Sequence, residues 1–307
     1  MVTILGAGGA IGSELVKELT ARNEPIRLVS RNPKLVPGAA EAVAADLSNL
    51  DDTVRAVSGS RVAFLLVGLK YDITVWRSLW PRIMRNAIEA AKRANARLVF
   101  FDNVYMYGKV EGVMTEQTPF RPSSKKGEIR AQIATMLLNE MKMGNLSGLI
   151  ARSADFYGPH ARTGIPNVLV FDKLAKGAKA SWFVNDSVKH SFTFTPDAAR
   201  SLILLADNES AWNQTWHVPT APDPPTGKQF IELAAKEFGT QPKYRVLTRP
   251  MLWLAGWFDT TVRESYEMLY QYESEYIFDS TKFTKAFRFQ PTSYAEGVRR
   301  TAQAYRQ

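Results

Sequence analysis

Three glycines, Gly6, Gly9 and Gly12, stand three residues apart between a short apolar run, Val2 to Leu5, and a stretch carrying Leu15, Val16 and Leu19 at helical spacing. Each glycine suits one task. The first permits a tight strand-to-helix turn, the second leaves room for backbone to approach a diphosphate, and the third lets the helix pack close to a sheet. The helix start behind them, with Ala10 and Ile11, offers free N–H groups and a positive dipole end to phosphate oxygens. A second apolar run, Ile26 to Val29, leads into Ser30-Arg31, with Lys34 close by. A carboxylate at this point would hold the ribose 2′-hydroxyl of NAD, whereas an arginine can stack on adenine and pair with a 2′-phosphate. The expectation is a dinucleotide site that takes NADP(H) in preference to NAD(H). A second stretch with chemical potential is Lys125-Lys126-Gly127-Glu128-Ile129-Arg130, three cations in six residues near a predicted helix start.

The elements that must position these residues follow from periodicity. Strand and helix signals alternate from residue 1 to about 160, which implies an α/β fold with a doubly wound, Rossmann-like parallel sheet. Val62 to Val67 and Arg97 to Phe101 read as buried strands, and Val75 to Ala94 and Gly127 to Met143 as helices. Beyond residue 160 the alternation loosens into a smaller carboxy-terminal α/β part. Val168 to Ala178 reads as a helix closed at "KGAK", Trp212 to Val218 as a strand, and Thr226 as the N-cap of a helix over Lys228 to Phe238. Pro250 to Glu273 reads as a long aromatic-rich helical region, with Trp253, Trp257, Tyr266 and Tyr270 on one stripe packed into the core. The expected division is 1–160 plus about 188–220 for the dinucleotide domain, and about 161–187 plus 221–307 for the smaller one.

The bulk properties narrow the chemistry. The chain has 307 residues, 45% of them hydrophobic and 22% charged, enough for a sizeable core. It contains no cysteine, which removes disulfides, thiolate metal sites and a cysteine nucleophile, and its three histidines are far apart, so no metal is expected. The formal net charge is +9, but the cations are scattered, which favours a phosphate-bearing small ligand over nucleic acid. The amino terminus lacks the pattern of a secretory leader, and no apolar window is long enough for a membrane span. A cytoplasmic setting without a membrane partner is the expectation.

Further segments resemble the short-chain dehydrogenase/reductase superfamily, in its extended branch of nucleotide-sugar epimerases and dehydratases. They are the glycine spacing, Ala45-Asp46-Leu47 after a third strand, "DNVYMYG" at 102–108, "RSADFYGP" at 152–159, "HSFTFTPDAAR" at 190–200, and the closing helix Tyr294 to Tyr305. The resemblance implies that Asp46 and Leu47 lie at the adenine, that Val67 and Gly68 line the coenzyme, and that Asp155 and His190 border the substrate. It also implies that the smaller carboxy-terminal α/β part is a substrate domain, that the substrate is a small molecule, and that the protein is a monomer or homodimer.

In that family a serine, a tyrosine and a lysine do the chemistry, the last two as YxxxK on one helical face. Here the matching positions are Asn103, Lys126 and Arg130. Asn103 offers an amide donor to an oxyanion. Arg130 can hydrogen-bond ribose but is a poor proton donor. Lys126 has three readings: a general acid or base whose pKa the neighbouring Lys125 and Arg130 lower, a phosphate or carboxylate clamp, or a lysine with no chemical role. Sequence does not separate Lys125 from Lys126. Tyr107, at the family's "VYG" tyrosine, and Tyr105 are alternative acids. The expected function is a reductase or epimerase on a small polar carbonyl or alcohol, phosphorylated or nucleotide-linked. A catalytically silent NADP(H)-binding regulator is the alternative.

Overall fold

The computed structural model describes residues 1–306. The apolar runs form a seven-stranded, wholly parallel sheet from β1 (Val2–Leu5), β2 (Ile26–Ser30), β3 (Glu41–Ala44), β4 (Val62–Leu65), β5 (Arg97–Asp102) and the strands Gly148–Arg152 and Thr215–His217. From one edge the order is Thr215–His217, Gly148–Arg152, β5, β4, β1, β2, β3. The chain thus winds outward from β1 in one direction, then returns and winds outward from β4 in the other. Between β1 and β4 lies the crevice where such sheets bind ligands. Register sets one carboxyl edge: Leu5 faces Val29 and Leu65, Leu65 faces Phe100, and Asp102 faces Arg152.

Alternation along each strand sends neighbouring side chains to opposite faces. Leu5, Leu65, Leu98 and Phe100 pack against Trp80, Ile83 and Met84 of α3 (Ile73–Ala94) and Ile133 and Leu137 of α4 (Lys125–Lys142), with α2 (Leu50–Val57) beside them. Ile4, Leu28, Phe64 and Val99 pack against Leu15 and Leu19 of α1 (Ala10–Ala21) and Leu202 and Leu205 of the helix Thr195–Asp207. A separate aromatic core joins Tyr157, Phe171, Trp182, Phe192, Phe230 and Tyr294. Two further parallel strand pairs border it, Asp155–Tyr157 with Phe192–Phe194 and Ala180–Phe183 with Tyr244–Leu247. The helix Gly227–Glu237 begins on the expected Thr226, whose side chain accepts from Gln229 N while the Gln229 side chain accepts from Thr226 N.

Several boundaries differ from expectation for local reasons. α3 starts at Ile73 because Asp72 Oδ1 accepts from Thr74 N and Val75 N. α4 starts at Lys125, capped by Ser124, whose hydroxyl accepts from Gly127 N at 3.0 Å. The helix over 168–178 is a wide turn, Asn167–Phe171, followed by the short helix Asp172–Ala175. The region Pro250 to Glu273 is not one helix. It breaks into Arg249–Ala255, Thr260–Ser265 and a tight turn of helix over Tyr266–Tyr272, because Asp259 restarts the backbone by accepting from Thr261 N and Val262 N. That break overturns the packing expected for two of its aromatics: Trp253 is 54% and Trp257 69% exposed. Among the described residues no helix is long and apolar enough to cross a membrane.

Candidate active site

The dinucleotide residues gather at the carboxyl edge as the register requires. Gly6 leaves β1 at φ +94°, and a Cβ there would lie 2.8 Å from Val67 backbone, so only glycine fits. A Cβ on Gly12 would strike Ala7 O at 2.7 Å, so this glycine admits the loop itself rather than the sheet. Around Gly9 the space is open, with only Gly6 O at 3.8 Å. No side chain caps α1, and its first turn holds no acid. An uncapped helix start behind an open glycine loop is a fitting seat for a diphosphate. Arg31 is exposed just past β2, and Asp46 just past β3, where Ser48 N donates to its Oδ1. Leu47 is buried in the core with residues of α2 and α3, and Val67 and Gly68 follow β4, with Val67 backbone close to Gly6. The open glycine loop and the uncapped start of α1 fit the diphosphate of a dinucleotide.

The reaction end is built differently. α4 approaches the turn after β5 so closely that a Cβ on Gly127 would lie 2.5 Å from Tyr105 O. The cap on Ser124 turns Lys126 inward and leaves Lys125 in solvent, which separates the two lysines. Lys126 is 1% exposed. Its Nζ donates to Glu264 Oε2 at 2.6 Å, Glu264 O at 2.9 Å and Glu267 Oε1 at 2.9 Å, and lies 4.6 Å over the Tyr71 ring. Lys126 is thus buried as expected, but two carboxylates face its Nζ beside the expected neighbours Lys125 and Arg130. The same glutamates accept from Ile73 N and Lys125 N, which ties the segment 264–267 to the starts of α3 and α4.

Arg130, one turn on, is also buried, and it does not extend toward a ribose. Its Nε and Nη2 donate to Asp102 Oδ1, the guanidinium lies 4.6 Å over Trp80, and Arg152 Nε stands 3.6 Å from Asp102 Oδ2. Asn103 N also donates to Asp102 Oδ1, and Asn103 Oδ1 accepts from Tyr105 N, so this side chain shapes the turn. Tyr107 faces away from the cleft. Its hydroxyl accepts from Arg152 Nη1 at 2.8 Å and donates to His217 Nε2 at 2.8 Å, since His217 Nδ1–H is used on Asp279 O at 2.7 Å. Burial, with Arg152 adding to it, pushes the His217 pKa down to about 3. Tyr107 is a structural tyrosine and not a cleft acid.

Tyr105 is half-buried in the turn that follows β5. It stacks on Trp76 with centroids 6.4 Å apart, and burial holds its phenol protonated, with Asp155 adding to the upward shift and Tyr71 and Arg130 opposing it. Asp155 Oδ2 accepts from Tyr272 O–H at 2.9 Å and contacts His190 Nε2 at 3.1 Å. His190 is only 1% exposed and lies between the rings of Tyr276, Phe192 and Tyr272, so its ring is enclosed and holds Asp155 rather than standing open. Sequence reasoning missed Asp102, Glu264 and Glu267. The signal was available: buried cations require buried counter-charges, and "RESYE" at 263–267 offers two.

The fold is shared with known proteins. The chain superposes on a UDP-glucose 4-epimerase from Thermus thermophilus, solved with NAD, with a TM-score of 0.80 at 18% identity, covering 99% of this chain and 98% of that one. It superposes on the Bacillus anthracis dTDP-glucose 4,6-dehydratase, also solved with NAD, with a TM-score of 0.82 at 15% identity, covering 99% and 96%. At these identities the likeness is one of fold. A 3-diazoavenalumate denitrifying reductase from Streptomyces sp is 24% identical over 286 residues, 84% of this chain and 88% of the relative. The family model for the NAD dependent epimerase/dehydratase family matches residues 2–218. With seven parallel strands, the glycine cradle at their carboxyl edge and this match over more than two thirds of its length, the chain belongs to the NAD dependent epimerase/dehydratase family.

Proposed function

We propose that this protein is an NADP(H)-dependent reductase acting on a carbonyl or similarly electrophilic carbon of a small polar substrate. The observation that carries the reading is the uncapped start of α1 over open Gly9, with exposed Arg31 and no acid at the end of β2. That Arg31 pairs with a 2′-phosphate is part of the proposal. The reductase relative from Streptomyces supports the reaction type. A cytoplasmic setting and the two-domain division belong to the same reading.

When bound, the reduced nicotinamide supplies a hydride to the substrate carbon. The residues of this chain do the rest. Burial weakens the Tyr105 phenol as an acid, but the alkoxide left by hydride transfer to the substrate is a stronger base and takes its proton, and Tyr105 is reprotonated from solvent. The ion pair of Lys126 with Glu264 and Glu267 holds segment 264–267 against the starts of α3 and α4 and excludes water. Purified protein mixed with NADPH and a carbonyl panel is expected to consume NADPH, and Tyr105→Phe is expected to lower kcat at least ~100-fold with coenzyme affinity intact. A second reading is a silent NADP(H)-binding regulator. It is favoured by one observation: Lys126 and Arg130 are both occupied by carboxylates. Tight NADPH binding without turnover of any substrate would select it.

A further inference from the structure

The segment 250–258 reads Pro-Met-Leu-Trp-Leu-Ala-Gly-Trp-Phe, nine residues without a charged or polar side chain. Of its large side chains the core takes Leu252 alone, while Met251, Trp253, Leu254, Trp257 and Phe258 are 46% to 88% exposed. The helix Arg249–Ala255 and the turn that continues it, where Gly256 N donates to Leu252 O and Phe258 N to Ala255 O, set these five side chains on the outer side. The turn is pinned from behind, since a Cβ on Gly256 would lie 3.1 Å from Arg263 Cα. The Trp253 and Trp257 rings meet edge to face with centroids 5.3 Å apart. Together the five side chains leave on the order of 600 Å² of apolar surface in water, the upper end of what a monomer carries.

The charges beside this corner have one sign. From 243 to 263 the ionisable side chains are Lys243, Arg245, Arg249 and Arg263 against the single acid Asp259. Arg249 is paired with Glu273, and Asp259 Oδ1 caps the helix Thr260–Ser265. Lys243, Arg245 and Arg263 are exposed and, among the described residues, enter no ion pair. Exposed tryptophan and phenylalanine next to unpaired cations match an anionic lipid surface, where rings settle at headgroup level and cations meet phosphates. A second copy fits less well. Phe258, the most exposed of the five, projects from the corner between two short helices and would need a matching pocket, whereas a fluid interface conforms to it. Two copies would also bring like-charged rims together.

We propose that the corner 250–258 inserts its rings into the headgroup layer of a membrane rich in anionic phospholipids, with Arg263, Arg245 and Lys243 against the phosphates. Nine apolar residues are far too few to cross a bilayer, which takes about 20. The contact is therefore peripheral. The expectation of no membrane partner rests on the lack of a long apolar window, and a surface contact requires none. Glu264 and Glu267, which hold Lys126, follow in the same segment, so the contact falls on the part of the chain that closes over the start of α4.

The test is co-sedimentation of the full chain with vesicles of phosphatidylcholine alone and of phosphatidylcholine and phosphatidylglycerol in equal parts. The anionic vesicles are expected to bind at least about tenfold more tightly than the neutral ones. Arg263→Gln should weaken that binding about fivefold, the effect of one cation near an anionic surface. Trp257→Gln combined with Phe258→Gln should weaken it at least about tenfold, with the unfolding midpoint in the absence of lipid unchanged. The comparison of vesicles on the unmodified protein needs no variant. No binding to the anionic vesicles, equal binding to both kinds, or unchanged binding in the double variant would each overturn the proposal. So would a dimer in sedimentation velocity without lipid that the double variant dissolves, because a second copy would then cover this face.

Discussion

The two ends of the sheet's carboxyl edge solve opposite problems. At β1 and β2 the chain stays open: glycines clear space, α1 is left uncapped, and Arg31 stands in solvent. At β5 and α4 it closes: Lys126, Arg130 and Asp102 are buried, and each meets an opposite charge. The open end depends on backbone shape and costs little to expose. The closed end depends on mutual neutralisation, since an isolated buried charge is strongly unfavourable. Disturbing the two ends should therefore have different consequences, coenzyme affinity at the open end and fold stability at the closed one.

The largest effect is expected at Asp102. Asp102→Leu leaves Arg130 and Arg152 without their shared carboxylate, and breaking such a buried pair costs about 3–5 kcal/mol. Urea unfolding should show the loss. A change under about 1 kcal/mol would mean that the closed end is not held by this network.

Acid should attack the same end. His217 is held neutral, with a folded pKa of about 3 against an ordinary value of 6.5. Because its folded pKa is the lower one, the unfolded chain takes up the proton first as pH falls. The contribution is fully present above about pH 6.5 and drains away between there and about pH 3. Between about pH 7 and pH 5 the loss is about 2 kcal/mol. Unfolding midpoints of wild type and His217→Gln across that range should converge as the pH drops. Parallel curves would contradict the assignment.

The open end should behave otherwise. Arg31→Ala is expected to leave the unfolding midpoint unchanged and to lower the ratio of NADPH to NADH affinity about tenfold, the scale of one charge-assisted hydrogen bond. An unchanged ratio would remove the basis for NADP preference. The smallest effect is expected where neither kind of constraint acts. Trp257→Gln, at a ring 69% exposed, should shift stability by less than about 0.5 kcal/mol.

The contrast also explains what could be read from sequence. Gly6 and Gly12 were legible because a backbone position that admits no side chain leaves one residue type. Most strands and α1 were legible from periodicity, and Thr226 from its cap. The closed end was not, because its partners are distant in the chain: Glu264 lies 138 residues from Lys126, and Asp102 lies 28 from Arg130. Spacing could place Lys126 and Arg130 on one helix face, but not the segment that covers it. The exposed Trp253 and Trp257 show the same limit in reverse, since a helical stripe was assumed to continue through a break set by Asp259. His190 and Tyr107 looked available by motif position and are enclosed by rings and an arginine from elsewhere in the chain.

The most direct measurement is a calorimetric titration of the unmodified protein with NADPH and with NADH. The account predicts saturable binding of both, NADPH the tighter. Absence of binding by either coenzyme would contradict it, because the open glycine cradle would then have no diphosphate to hold.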